Sequence, residues 1–319
     1  MIGHTQRDAR WTTSTQNLKV IKMNMIRLVE SFNLFLAVLF TVAYFYQLIY
    51  LFLGFVKRHR WKQPEPARFH RYAAVISARN EAGVIGELIQ SLKQQNYPAG
   101  YLDVYVVADN CTDNTAQVAR KAGAIVYERF NQTKKGKGYA LNFLFRTLAV
   151  EGRDQYDAYF IFDADNLVDP NFVLEMNKVF DQGGYGAITC YRNSRNFGSN
   201  WISAGYAIWF LREARFLNFP RMLLGTNCHV SGTGFLISAD VIRENGGWPY
   251  HLLTEDIEFS VGCALKGRRD GAKQHRRRGK RQMRQRDGLP AVLVARHLRD
   301  DLRGDVAGCG KAVRALDER

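Results

Sequence analysis

Of 319 residues, 46% are hydrophobic and 24% charged, a balance that supplies a folded core and excludes a wholly disordered chain. The net charge of +15 is uneven: residues 267–319 hold 16 Lys/Arg against 7 Asp/Glu, so most of the excess belongs to the tail, and no specific nucleic-acid partner is implied for the body. Five scattered cysteines without a Cys-x-x-Cys pair argue against a zinc site or a disulfide framework and suit a reducing compartment.

Residues 1–30 read as a poorly ordered polar arm. From Ser31 to Val56 no charged residue occurs for 26 positions, and the run is dense in Leu, Phe, Val, Ile and Tyr. At about 1.5 Å per residue it spans a hydrocarbon core of roughly 30 Å, so one transmembrane helix is expected. It is too long, and too far from the start, for the apolar part of a cleaved signal peptide. Lys57, Arg58, Arg60, Lys62, Arg68 and Arg71 follow it, whereas Lys19, Lys22 and Arg27 precede it. The heavier basic side is normally cytoplasmic, which places residues 57–71 as a basic juxtamembrane linker and the following domain in the cytosol.

The body, residues 72–266, alternates short continuous apolar runs with amphipathic stretches. Strands are expected at Ala73–Ala78, Val104–Ala108, Ala124–Glu128 and Ala158–Phe162. Helices are expected at Val84–Leu92, Asp113–Ala122, Gly138–Ala149 and Asn171–Phe180. This is the pattern of an α/β domain with a mostly parallel sheet covered on both faces. In such sheets ligands bind beyond the carboxyl ends of the strands.

The residues at those ends are polar and acidic. The first strand runs into Arg79-Asn80-Glu81, the second into Asp109-Asn110-Cys111-Thr112-Asp113, and the fourth into Asp163-Ala164-Asp165. Asp163 and Asp165, two apart at an extended strand end, project to one side and repel each other unless they share a cation or a proton. Mg²⁺ or Mn²⁺ held by these carboxylates and by substrate phosphates meets that need; a loop that caps the next helix is the alternative. Lys134-Lys135-Gly136-Lys137-Gly138 opens a helix with glycine, positive charge and a helix N-terminus, which suits a diphosphate, although a solvated basic turn has the same composition. Ser231-Gly232-Thr233-Gly234 reads as a tight approach to the buried strand Phe235-Leu236-Ile237. In Thr254-Glu255-Asp256 the threonine caps a helix, and the two acids either serve chemistry or merely offset the helix dipole.

From about Ala73 to Arg269 these ordered motifs resemble glycosyltransferase family 2, the inverting enzymes of GT-A fold. The helix in front makes the chain similar to the cellulose, hyaluronan and poly-N-acetylglucosamine synthase branch. The resemblance implies that Glu81 and Asp109 hold the nucleoside, commonly uridine, and that Lys137 lies near the donor diphosphate. It also implies a donor and metal role for Asp163, with Asp165 approaching the metal most directly. By the same resemblance Gly232, Gly234 and Glu255 lie on the acceptor side, and Asp256 is the general base. The activity implied is inverting transfer from a nucleotide-sugar donor to a saccharide or lipid-linked acceptor, in polysaccharide synthesis at a membrane.

The chain departs from that branch after Gly267. The Gln-x-x-Arg-Trp motif and further membrane helices of the branch are not found, and residues 267–319 contain no Phe, Tyr or Trp. This stretch reads as a disordered, solvated tail, a basic arm or, favoured here, an out-of-frame segment. It leaves a rival in play: a membrane-bound fragment that binds donor without turnover. A nucleotidyltransferase shares strand-end carboxylates, but the Thr254–Asp256 segment and the membrane helix speak against it.

Overall fold

The computed structural model describes residues 5–56, 65–194, 198, 200–224, 226–252 and 254–265, with side chains from residue 22 onward. Most of the basic linker and the whole tail from 267 lie outside the described residues. The chain forms two compact units that divide after Phe52.

In the first unit helix α1 (Thr5–Tyr44) is followed, after a break at Phe45, by α2 (Tyr46–Val56), which runs on into the second. Helix therefore starts at Thr5 and continues through the residues read as an irregular arm. The cause is local: apart from Gly3, residues 1–30 contain no glycine and no proline to stop it. Lys22–Val56 is long and apolar enough to cross a membrane, by length and composition.

The second unit contains β1 (Tyr72–Ala78), α3 (Ile85–Lys93), β2 (Leu102–Asp109), α4 (Thr115–Lys121), β3 (Ile125–Arg129), α5 (Lys137–Val150), β4 (Ala158–Asp163) and α6 (Phe172–Phe180). After these come β5 (Ala187–Ile188), α7 (Trp201–Arg212), a π-helical segment (Glu213–Asn218), α8 (Phe219–Leu223), β6 (Phe235–Ser238), α9 (Ala239–Glu244) and α10 (Glu255–Leu265). One six-stranded sheet has the order β3-β2-β1-β4-β6-β5. β1 pairs in parallel with β2 and β4, and β2 with β3; β6 runs antiparallel to β4 and β5.

Alternate residues of β1 enter two different cores. Tyr72, Ala74, Ile76 and Ala78 pack in one core with Leu88 and Ile89 of α3 and Met176 and Val179 of α6. Ala73 and Val75 pack in the other with Leu141, Leu144 and Leu148 of α5. Both faces are dry, which is why the strands read as unbroken apolar runs. Each fully buried Leu, Ile or Val stabilises the fold by about 1.5–3 kcal/mol relative to exposure, and the two layers fix β1, β2 and β4 in register. That register sets Ser77 beside Asp163 and Asp109 beside Arg129, so the polar strand ends share one rim.

Gly138, in the first turn of α5, shows how this rim is closed. A Cβ built there would lie 2.0 Å from the Tyr250 carbonyl oxygen and 3.1 Å from His251 Cα. The backbone of the 250–251 segment thus lies directly against α5, and the Tyr139 and His251 rings stack with centroids 4.1 Å apart. Gly138→Ala is expected to force these segments apart and cost about 1–3 kcal/mol or more, read as a melting point several degrees lower for the detergent-solubilised protein. An unchanged melting point would show that the 250–251 segment yields freely.

Candidate active site

β1 and β2 each run into a sharp turn beside a carboxylate. Among the described residues, Asn80 (φ 58°) and Asn110 (φ 53°) are the non-glycine residues with positive φ, a conformation asparagine tolerates better than most residues. They end β1 and β2, and Asn80 Oδ1 accepts the Thr112 N–H at 2.8 Å, which ties the two turns together. Glu81 follows one turn and Asp109 precedes the other. The Glu81 N–H donates to Thr115 Oγ1 at 2.8 Å, so the N-terminus of α4 fixes that loop.

Glu81, Asp109, Lys137, Asp163 and Asp165 line one cleft of about 330 Å³, with Ser77, Arg79 and Gly136. Residues from β1, β2, β4 and the start of α5 therefore converge at one edge of the sheet. Asp109 is buried and paired with the buried Arg129 guanidinium. Arg129 also donates to the Lys134 carbonyl at 2.6 Å, linking the end of β3 to the basic loop. Breaking such a buried pair from one side costs about 3–5 kcal/mol. Arg129 is not evident from the sequence, where the apolar run points to a strand end at Glu128; the strand extends one residue further and carries Arg129 to the same rim.

Asp163 and Asp165 both face the cleft, Asp165 being exposed. The Asp163 N–H donates to Thr233 Oγ1 at 2.8 Å, and the Gly234 N–H donates to the Ile161 carbonyl at 2.8 Å. The glycine-bearing segment is thereby fastened to β4. Gly232 and Gly234 both have positive φ, at 55° and 71°, where a side chain would be strained. Gly234 also has Cys190 Sγ 3.0 Å from where a Cβ would stand, so its part is close packing beneath the loop.

Lys137 joins the two halves. Its Nζ donates to Asp163 Oδ1 at 2.7 Å and to the Gly232 carbonyl at 2.5 Å, and lies 3.4 Å from Glu255 Oε1. Glu255 is buried; burial pushes its carboxyl above the ordinary value while the Lys137 ammonium pulls it down. Asp256 stands beside it at the start of α10. Its Oδ2 accepts the Gly232 N–H at 2.5 Å and its Oδ1 the Ile257 N–H at 2.8 Å. Glu255, Asp256, Gly232 and Gly234 are not among the residues lining the cleft itself; Lys137 joins Gly232 and Glu255 to it, and Asp256 follows through its bond to Gly232. Arg192, also missed in the sequence, donates from Nη2 to Ser231 Oγ at 2.6 Å and holds the same loop from the other side.

Among the described residues no group of three or more His, Cys, Asp or Glu side chains is placed to hold a metal ion unaided. Asp163 and Asp165 on one cleft wall instead fit an ion whose remaining ligands come from a bound phosphate and water, the usual arrangement for Mg²⁺.

Residues 70–299 match the family described as glycosyltransferase like family 2. A beta-monoglucosyldiacylglycerol synthase of Nostoc sp. is 27% identical over 202 residues, covering 60% of this chain and 40% of the relative. A 4,4'-diaponeurosporenoate glycosyltransferase of Staphylococcus aureus is 41% identical over 88 residues, 27% of this chain and 22% of the relative. The chain thus spans well under half the length of these curated relatives. A mannosyltransferase from Pyrobaculum calidifontis, solved with GDP-Man and Mn²⁺, superposes with a TM-score of 0.52 at 19% identity, covering 69% of this chain and 60% of that one. At that identity the likeness shows the fold, which is the GT-A arrangement. The family match covers well over half of the residues, and on it the chain belongs to glycosyltransferase-like family 2.

Proposed function

We propose that this glycosyltransferase moves a sugar from a uridine-diphosphate sugar to a lipid-linked hydroxyl at the cytosolic face of a membrane, inverting the anomeric carbon. The observation that carries the reading is Lys137, which bonds a donor-side carboxylate (Asp163) and the backbone of the acceptor-side loop (Gly232) with one ammonium group. A cation in that position neutralises charge on a departing diphosphate.

Glu81 and Asp109 bind the nucleoside end of the donor. Asp163 and Asp165 would hold Mg²⁺ or Mn²⁺, which supplies charge neutralisation to the diphosphate when bound. Asp256 takes the proton from the acceptor hydroxyl as it attacks the anomeric carbon from the face opposite the leaving group. Gly232 and Ser231, braced by Arg192, border the acceptor. Lipid-linked acceptors are favoured over a growing saccharide because the relatives are named for glucosyldiacylglycerol and diaponeurosporenoate. The apolar segment Lys22–Val56 then anchors the enzyme beside such acceptors, in a single pass.

The test is binding and turnover by the purified full-length chain. Uridine-diphosphate sugars should raise its melting temperature only with Mg²⁺ or Mn²⁺ present, by roughly 5–10 °C at a hundredfold excess over Kd, and EDTA should abolish both the shift and transfer to a lipid acceptor. Binding with no transfer to any acceptor would leave a donor-binding fragment. Binding indifferent to EDTA would remove the metal from the site, and no binding of any nucleotide sugar would overturn the reading.

A further inference from the structure

Helix α7 has an outer face that water does not suit. Ser203, Ala204, Ala207, Phe210 and Leu211 are half-buried and follow helical spacing, which defines an inner face. The residues between them are exposed: Trp201 at 83%, Ile202 at 53%, Tyr206 at 59%, Ile208 at 66% and Trp209 at 58%. No charged residue occurs from Trp201 to Leu211. A helix lying on a soluble body ordinarily turns polar residues outward, so a contiguous aromatic and aliphatic face marks a contact surface. The helix is properly begun, since Asn200 caps it by accepting the Ser203 N–H at 2.9 Å.

What lies next to this face identifies its partner. The π-helical segment that continues α7 meets the last turn of the apolar segment, Leu53–Val56, which belongs to the same compact unit. A Cβ on Gly54 would stand 2.9 Å from Phe216 Cδ1 and 3.1 Å from the Arg215 carbonyl, and the Phe55 and Phe216 rings are 5.2 Å apart. The aromatic face therefore begins within a few turns of the point where the membrane-crossing segment ends.

We propose that α7 lies in the bilayer interface, with Trp201, Tyr206 and Trp209 at headgroup depth and Ile202 and Ile208 against the acyl chains. Trp and Tyr suit that zone because their rings are apolar and their N–H and O–H groups reach water. Lipid is the occupant rather than a second protein because the helix that carries this face runs on into the segment whose Phe216 packs against Phe55, at the end of the apolar segment. The lipid contact also reaches the site. Arg192 stacks over the Phe210 ring at 4.6 Å, pairs with Glu213 at 3.5 Å and donates to Ser231. A helix seated on lipid thereby steadies the loop that borders the acceptor.

This inference rests on the membrane-anchored reading, and the experiment separates the two. Full-length protein, with Trp11 and Trp61 changed to Phe, is reconstituted in phosphatidylcholine–phosphatidylglycerol vesicles with and without lipids brominated near the headgroup end of their chains. The expected result is quenching of tryptophan emission by bromolipid, lost in the Trp201→Phe/Trp209→Phe double variant, whose remaining Trp248 is buried in the core. Leu39→Trp, built on that double variant and read with lipids brominated near the ends of their chains, reports the anchor at the bilayer centre. If it is quenched while Trp201 and Trp209 are not, the anchor stands and the interfacial helix is refuted. Quenching of neither would remove the anchor, and this inference with it.

Discussion

Asp256→Asn is expected to lower sugar transfer by about 10²–10⁴-fold, the usual contribution of a positioned general base. The carboxylate is oriented by two backbone donors, the Gly232 N–H on Oδ2 and the Ile257 N–H on Oδ1, and its own carbonyl accepts the Ser260 hydroxyl at 2.8 Å. Each carboxylate oxygen has a second lone pair, so an acceptor hydroxyl can still be received. Asparagine keeps one acceptor oxygen and the side-chain size, but its amide cannot take up a proton at neutral pH. It also turns an N–H group toward one backbone donor, for a stability loss on the order of 1 kcal/mol. Donor affinity should persist, because Asp256 does not line the cleft with Glu81 and Asp109. Transfer by the variant is measured against its donor Kd and melting temperature. Turnover close to that of the parent, with the protein folded, would take the base role away from Asp256.

The parts of this chain that were legible in the sequence are those decided by local chemistry. β1, β2, β3 and β4 were expected within two residues of their observed ends, because strands dry on both faces leave unbroken apolar runs. The convergence of Glu81, Asp109, Asp163 and Asp165 followed from one rule, that parallel strands present their carboxyl ends at one rim. The stretch between Phe180 and Ser231 was not legible. β5 is two residues long and exists only through its pairing with β6. α7 carries apolar residues on both its half-buried and its exposed faces, which erases the 3.6-residue contrast that signals a helix. Nor could spacing show that Lys137 meets residues 26, 95 and 118 positions away, since those distances exist only after the sheet has formed. Gly138 gave no sign of its backbone contact with Tyr250 for the same reason.

Lys137→Met should be nearly as damaging as loss of the base, by a different route. The variant keeps the length and much of the packing of the side chain but removes the charge shared by Asp163, the Gly232 carbonyl and Glu255. Removing one positioned donor to a developing negative charge typically costs about 10²–10³-fold in kcat, and weaker donor binding should add to it. A second effect follows from burial. Glu255 already sits above its ordinary pKa because it is buried, and the Lys137 ammonium is the largest influence that pulls it back down. Without the ammonium its carboxyl should rise further and be protonated over a wider pH range. Adding Glu255→Gln to Lys137→Met should therefore change melting temperature far less than Glu255→Gln does alone, a non-additivity that reports direct coupling. Lys137→Arg should recover donor affinity in part, since it restores charge, yet not full kcat, because a planar fork cannot reproduce two hydrogen bonds and an ion pair radiating from one nitrogen. Equal kcat and equal donor Kd in Lys137→Met and the parent would show that the ammonium only staples the empty site together. A loss confined to melting temperature would point the same way, toward Lys137 as a brace between β4 and α10 rather than a group that meets the diphosphate.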